Sequence, residues 1–115
     1  MPMRTEKPVF AQVAEMIEND ILSGTYNPDD LIISTTHISK LLSVNPTTSV
    51  KAVRVLTDKG LLYKKRGIGM AVTSEAKQII LNERKMELLD TIRQSVNIGI
   101  SREEIIKLIM EDHYD

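Results

Sequence analysis

Cysteine is absent from this chain of 115 residues. Its absence excludes a disulfide framework, a thiolate nucleophile and cysteine-ligated metal. Histidine is nearly absent too, and His37 and His113 stand too far apart in sequence to suggest a metal site. Aromatic residues amount to 3%, namely Phe10, Tyr26, Tyr63 and Tyr114. That scarcity argues against a platform of exposed rings stacking single-stranded bases. There is no apolar run long enough to span a bilayer, and Met1 to Lys7 carries no apolar signal-peptide core. A cytoplasmic protein with no membrane partner is the expectation. Nucleophile elbow, P-loop and paired-carboxylate spacing are all missing, so neither an enzyme nor a cofactor is expected.

What the chain does have is segregated charge. Residues 34 to 70 hold Lys40, Lys51, Arg54, Lys59, Lys64, Lys65 and Arg66 against the single carboxylate Asp58, a net of +6 within a total of −1. Concentration of this kind is the footprint of a face that meets nucleic acid. Residues 75 to 115 hold six positive and nine negative side chains, a local −3 that should point away from DNA.

The order of elements follows from local signals. Pro8 suits the first turn of a helix. Phe10, Val13, Ala14, Ile17 and Ile21 then form one inward stripe, and Gly24 is a plausible stop. Tyr26-Asn27-Pro28-Asp29-Asp30 is a turn, and Leu31-Ile32-Ile33 a short strand or extended connector. Ser34 offers an N-cap to a helix reaching Ser43, with Ile38, Leu41 and Leu42 inward and His37 exposed. Asn45 caps and Pro46 opens the next helix, which extends to Lys59. At roughly 100° per residue, Thr47, Lys51, Arg54 and Asp58 share one side of it and Ser49, Ala52, Val53 and Leu56 the other. Only Ser49 is a polar residue facing inward.

After Gly60, Leu61-Leu62-Tyr63 and Met70-Ala71-Val72-Thr73 read as strands around a tip from Lys64 to Gly69. Ser74 offers a cap to a long helix from Glu75 to Val96, with a broad apolar stripe. Asn97-Ile98-Gly99 breaks it, and Ser101-Arg102-Glu103-Glu104 is a capping box opening a last helix. The fold class is mainly α with a small β-hairpin wing: a winged helix-turn-helix followed by two C-terminal helices. Residues 1–74 would form the DNA-binding domain and residues 75–115 a helical dimerisation tail.

A pair of core helices also explains a bare helix-turn-helix, and Lys64-Lys65-Arg66 alone is only a solvated charge run. Together, the tight turn, the Asn-Pro start, the polar outward face and the basic hairpin favour DNA. The first turn of a recognition helix needs short or hydrogen-bonding side chains to reach base edges, with Arg or Lys for guanine and phosphate. Thr48 and Lys51 are expected to touch bases and Thr47 a phosphate.

This ordered set resembles the GntR-type winged helix-turn-helix regulators. The likeness runs from Pro8-Val9-Phe10 through Ser23-Gly24…Pro28 to Gly60-Leu61-Leu62 and Arg66-Gly67-Ile68-Gly69…Val72. Val44-Asn45-Pro46-Thr47-Thr48 is similar to the turn of the family's short, transporter-associated (YtrA-type) branch, which carries a two-helix dimerisation tail and no large effector domain. The resemblance implies a homodimeric repressor of a small operon, bound to a palindromic double-stranded DNA operator. An effector cannot be named. The chain departs from the family where Gly is usual at Asp29, where Leu-Pro-Ser is usual at Ile32-Ile33-Ser34, and where a DNA-contacting Arg is usual at Thr36. Thr48-Ser49 stands for the usual Thr-Val, and Val50 where a polar residue is common. Thr36 and Val50 would read bases differently, through thymine methyl contacts.

The expected DNA-contacting set is Ser34, Thr36, Asn45, Thr47, Thr48, Lys51 and Arg54, with Lys64, Lys65, Arg66, Gly67 and Gly69 of the wing. The expected dimer interface is Ile80, Leu81, Leu88, Leu89, Ile92, Val96, Ile105 and Ile109. The rival is a winged-helix module that binds protein and not DNA. It would need an apolar patch at Val50 and Val55.

Overall fold

Residues 9–23, rich in apolar side chains at helical spacing, form α1 (Val9–Ser23) in a computed structural model that describes residues 7–112. Then come α2 (Thr35–Leu42), α3 (Pro46–Asp58), β1 (Leu62–Lys65), β2 (Gly69–Val72), α4 (Ala76–Asn97) and α5 (Arg102–Glu111). His113 and Tyr114 lie outside the described residues. The chain divides into two compact units between Ile80 and Leu81.

In the first unit α1 buries Val13, Ala14, Ile17 and Ile21 against a core that includes Ile38, Ala52, Leu56, Leu61, Leu62 and Val72. Side chains of this size each contribute about 1.5–3 kcal/mol when fully withdrawn from water. Gly24 ends α1 in the left-handed region at φ +88°, where a Cβ would be strained. Pro8 stands just outside the helix at ψ 149°, not in its first turn. Buried Glu18 of α1 meets Lys59 Nζ at 2.9 Å, joining α1 to the end of α3. Leu41 departs from expectation and is 64% exposed. A helix of eight residues offers one narrow inward face, and Ile38 and Leu42 occupy it.

The Leu31–Ile33 segment contributes a single bridge, Leu31 to Ala71. Ile32 N–H donates to the Met70 carbonyl at 3.0 Å, and Val72 N–H to that of Asp30 at 3.0 Å. The turn at Asp29 and the helix cap at Ser34 leave too few residues between them for a longer ladder. Ser74 does not cap α4: its hydroxyl bonds the Glu75 carboxylate, and the helix opens at Ala76 from a turn closed by Ala76 N–H on the Thr73 carbonyl, 3.3 Å.

The second unit is the remainder of α4 with α5. Ser101 and Glu104 form the expected capping box, with bonds of 3.1 Å and 3.0 Å. No side chain of α5 is buried, and the only two buried in α4 are Ala76 and Ile80. Both belong to the first unit's core. Ile80 therefore cannot serve as a free interface residue, because it is already withdrawn from solvent within its own chain.

Candidate nucleic-acid interface

Two caps set the turn between α2 and α3. Ser34 Oγ accepts from His37 N–H at 3.1 Å, and Asn45 Oδ1 accepts from Thr48 N–H at 2.8 Å. Ser43 turns the chain between them in the left-handed region, φ +55°. Both cap oxygens are thus engaged within the fold. Asn45 keeps its side-chain amide N–H groups to donate, and Pro46 has no N–H. Thr47 is left as the first-turn backbone donor, fewer than the Asn-Pro start suggests.

Inward, α3 buries Ser49, Ala52, Val53 and Leu56. Ser49 is fully buried, and its hydroxyl lies 2.7 Å from that of Ser39. A hydroxyl bond across the α2–α3 contact explains a polar residue on the core side. Outward, Thr47, Lys51 and Arg54 line one open groove of about 480 Å³ with Pro46 and Val50. Thr48 is half-buried, and Asp58 and His37 are exposed. Lys51 Nζ stands over the Phe10 ring, 4.5 Å from its centroid. That cation–π contact lets α1 hold a recognition-helix charge in place. Val55 turns inward and packs on the core. The Val50–Val55 patch does not form.

The wing differs from its expected form. Lys64 and Lys65 lie in β1, not at the tip, and pair with Met70 and Gly69. Only Arg66, Gly67 and Ile68 form the turn. Successive strand residues face opposite ways, so the two lysines separate. Lys64 is exposed and lines a second groove, of about 310 Å³, with Ser34, Thr35, Val53 and Ile68. Lys65 shares a face with Tyr63, and its ammonium lies 3.4 Å from the Asp29 carbonyl. Arg66 and Thr36 are exposed. Gly67 sits at φ +73° with nothing within 4 Å of an added Cβ, so its conformation and not crowding calls for glycine.

A further cluster braces the wing. Asp29, at φ +69°, accepts the Tyr63 hydroxyl on Oδ1 at 2.7 Å. That hydrogen bond, with some desolvation and the Asp29 charge, holds the phenol above the ordinary tyrosine pKa. Neither this cluster nor the roles of Phe10 and Ser39 showed in the sequence. Only the inward Ser49 hinted at a hidden partner. Among the described residues no group of acidic or histidine side chains could hold a metal, and no helix is long and apolar enough to cross a membrane.

The family model described as bacterial regulatory proteins, gntR family, matches residues 10–72, a span that contains this whole surface. The HTH-type transcriptional repressor YtrA of Bacillus subtilis is 25% identical over 111 residues, covering 96% of this chain and 75% of YtrA. The chain spans 34% or less of the other curated regulators it matches. A GntR family transcriptional regulator from Listeria monocytogenes has a TM-score of 0.83 at 28% identity, over 94% of this chain and 97% of that one. AraR(DBD) in complex with operator ORX1 has a TM-score of 0.57 at 32% identity, over 64% and 89%.

Proposed function

Because the chain belongs to the gntR family of bacterial regulatory proteins, we propose that it is a cytoplasmic, dimeric repressor of a small operon that grips a palindromic DNA operator with α3 and the wing. Its relatives are transcriptional regulators and not enzymes. The observation that carries the reading is the outward face of α3. Thr47, Lys51 and Arg54 share one groove along the first three turns of that helix, and exposed Lys64 and Arg66 follow on the wing. The start of a recognition helix meets base edges in the major groove, while surrounding cations meet phosphates.

Residues 1–74 carry DNA binding and the tail from residue 75 carries dimerisation, with Ala76 to Ile80 packed into the DNA-binding unit. The second unit supports the dimer. Leu88 is 59% exposed and Ile109 66%, and a helical pair without buried side chains has little to hold it. Leu81, Leu88, Leu89, Ile92, Val96, Ile105 and Ile109 would bury against the same face of a second copy. A two-fold dimer presents two recognition helices to half-sites one helical turn apart. The protein-binding rival loses its motive with Val55 packed inward.

Selection of bound duplexes from a random pool, using the whole chain at moderate salt, tests this. A two-fold-symmetric consensus is expected. It should be lost when Thr47, Thr48 and Lys51 are all replaced by alanine in a protein that still folds and dimerises. Intact binding by that variant, or no enrichment at all, would transfer the preference to a protein-interaction module.

A further inference from the structure

We propose that Val50 reads the C5-methyl group of a thymine in each operator half-site, an assignment that rests on the DNA-binding role of α3. Val50 follows Thr47 by three residues and precedes Arg54 by four, so at roughly 100° per residue it falls on the same face as both. With Pro46, Lys51 and those two it lines the outward groove. It is 45% exposed, whereas Val53 is 9% exposed and Val55 packs on the core. The fold makes little use of the Val50 side chain, yet α3 presents it within its second turn, where side chains reach base edges.

The chemistry of the side chain narrows what it can recognise. Valine neither donates nor accepts a hydrogen bond. In the major groove guanine, adenine and cytosine present donors and acceptors, and thymine alone adds an apolar methyl. Valine pressed on any other base edge would strip water from polar atoms and return no bond. The residue thus selects twice, by contact with thymine and by penalty against its competitors. Its β-branched side chain is stiff about χ1, so little freedom is lost when the contact forms. Thr47, Lys51 and Arg54 around the groove supply the polar contacts that valine cannot.

The test exchanges thymine for uracil, one position at a time, in an operator selected with the native protein. Uracil keeps every pairing and major-groove polar group and removes only the methyl. At one thymine per half-site the exchange should weaken native binding about fourfold, and roughly fifteenfold when both half-sites carry it, as expected for one buried methyl each. Val50→Ala should bind the thymine operator with a comparable loss and no longer distinguish thymine from uracil there. Alanine favours an exposed helix position, so the variant should keep its fold. A uracil penalty that persists in Val50→Ala would assign the methyl contact to another residue and overturn the proposal. The absence of any uracil penalty would overturn it as well. Both results leave a selected operator, and hence DNA binding, in place. Failure to select any operator would instead remove the reading on which the proposal stands.

Discussion

Replacing Lys64 with alanine should flatten the salt dependence of operator binding, and replacing its neighbour Lys65 should do so much less. Each phosphate neutralised by a cation adds about 0.9 to the slope of log affinity against log salt. Raising salt fourfold therefore costs about 3.5-fold in affinity per phosphate contact. Lys64 is exposed, lies on the groove side of the wing and has no ion pair among the described residues. A dimer carries it twice, once per half-site, so its removal should recover that factor in both, about twelvefold in all. Lys65 lies on the opposite face, half-buried, with its ammonium toward the Asp29 carbonyl. At 3.4 Å that bond is weak, so the pleat and not the bond keeps Lys65 off the DNA. Fluorescence anisotropy with labelled operator and with scrambled duplex, across a potassium chloride series, measures both slopes. Lys64→Ala should weaken the two duplexes together, as loss of a phosphate contact requires. Equal slopes for the two variants, or a larger change for Lys65→Ala, would refute the argument from strand parity.

Leu88→Asp with Ile92→Asp should yield monomer by sedimentation, since unpaired charges in a buried seam cost several kcal/mol; a dimer like the native one would place the interface elsewhere. Ser49→Ala should destabilise by about 1 kcal/mol in urea unfolding by breaking its bond to Ser39. A double-mutant cycle with Ser39→Ala should return a coupling of similar size, and zero coupling would deny the pair a role. Asp29→Asn should let Tyr63 ionise at lower pH, closer to the ordinary value of 10.0, because the Asp29 hydrogen bond and charge that raise it are weakened. Because the raised pKa favours the neutral phenol, its stabilisation is present below the ordinary value and fades as pH climbs through the native one. Tyrosinate absorbance of the variant against native protein reads the shift, and identical curves would contradict it.

Features set by neighbours in sequence were legible. Ser34, Asn45-Pro46 and the Ser101–Glu104 box act within one helical turn, so spacing alone reveals them. The inward stripe of α1 was legible for the same reason. Periodicity names a face but not its neighbours, so it puts Leu41 inside and Ile80 at an interface. Both assignments depend on packing between elements. The parity of Lys64 and Lys65 depends on where β1 begins, and a shift of one residue exchanges their faces. The Tyr63–Asp29 bond joins residues 34 apart, and nothing local announces it.

The two faces of α3 share no residue. Ser49, Ala52, Val53 and Leu56 hold the helix in place, while Thr47, Val50, Lys51 and Arg54 look outward. Exposed substitutions usually change stability by no more than about 0.5 kcal/mol. After gene duplication, one copy could acquire a new target by drift on the outward set while its folding stayed under unchanged selection. Divergence of targets among paralogues would then run ahead of divergence in the scaffold, and exchanging those four positions together with Thr48 between two paralogues should shift their operator preferences toward each other.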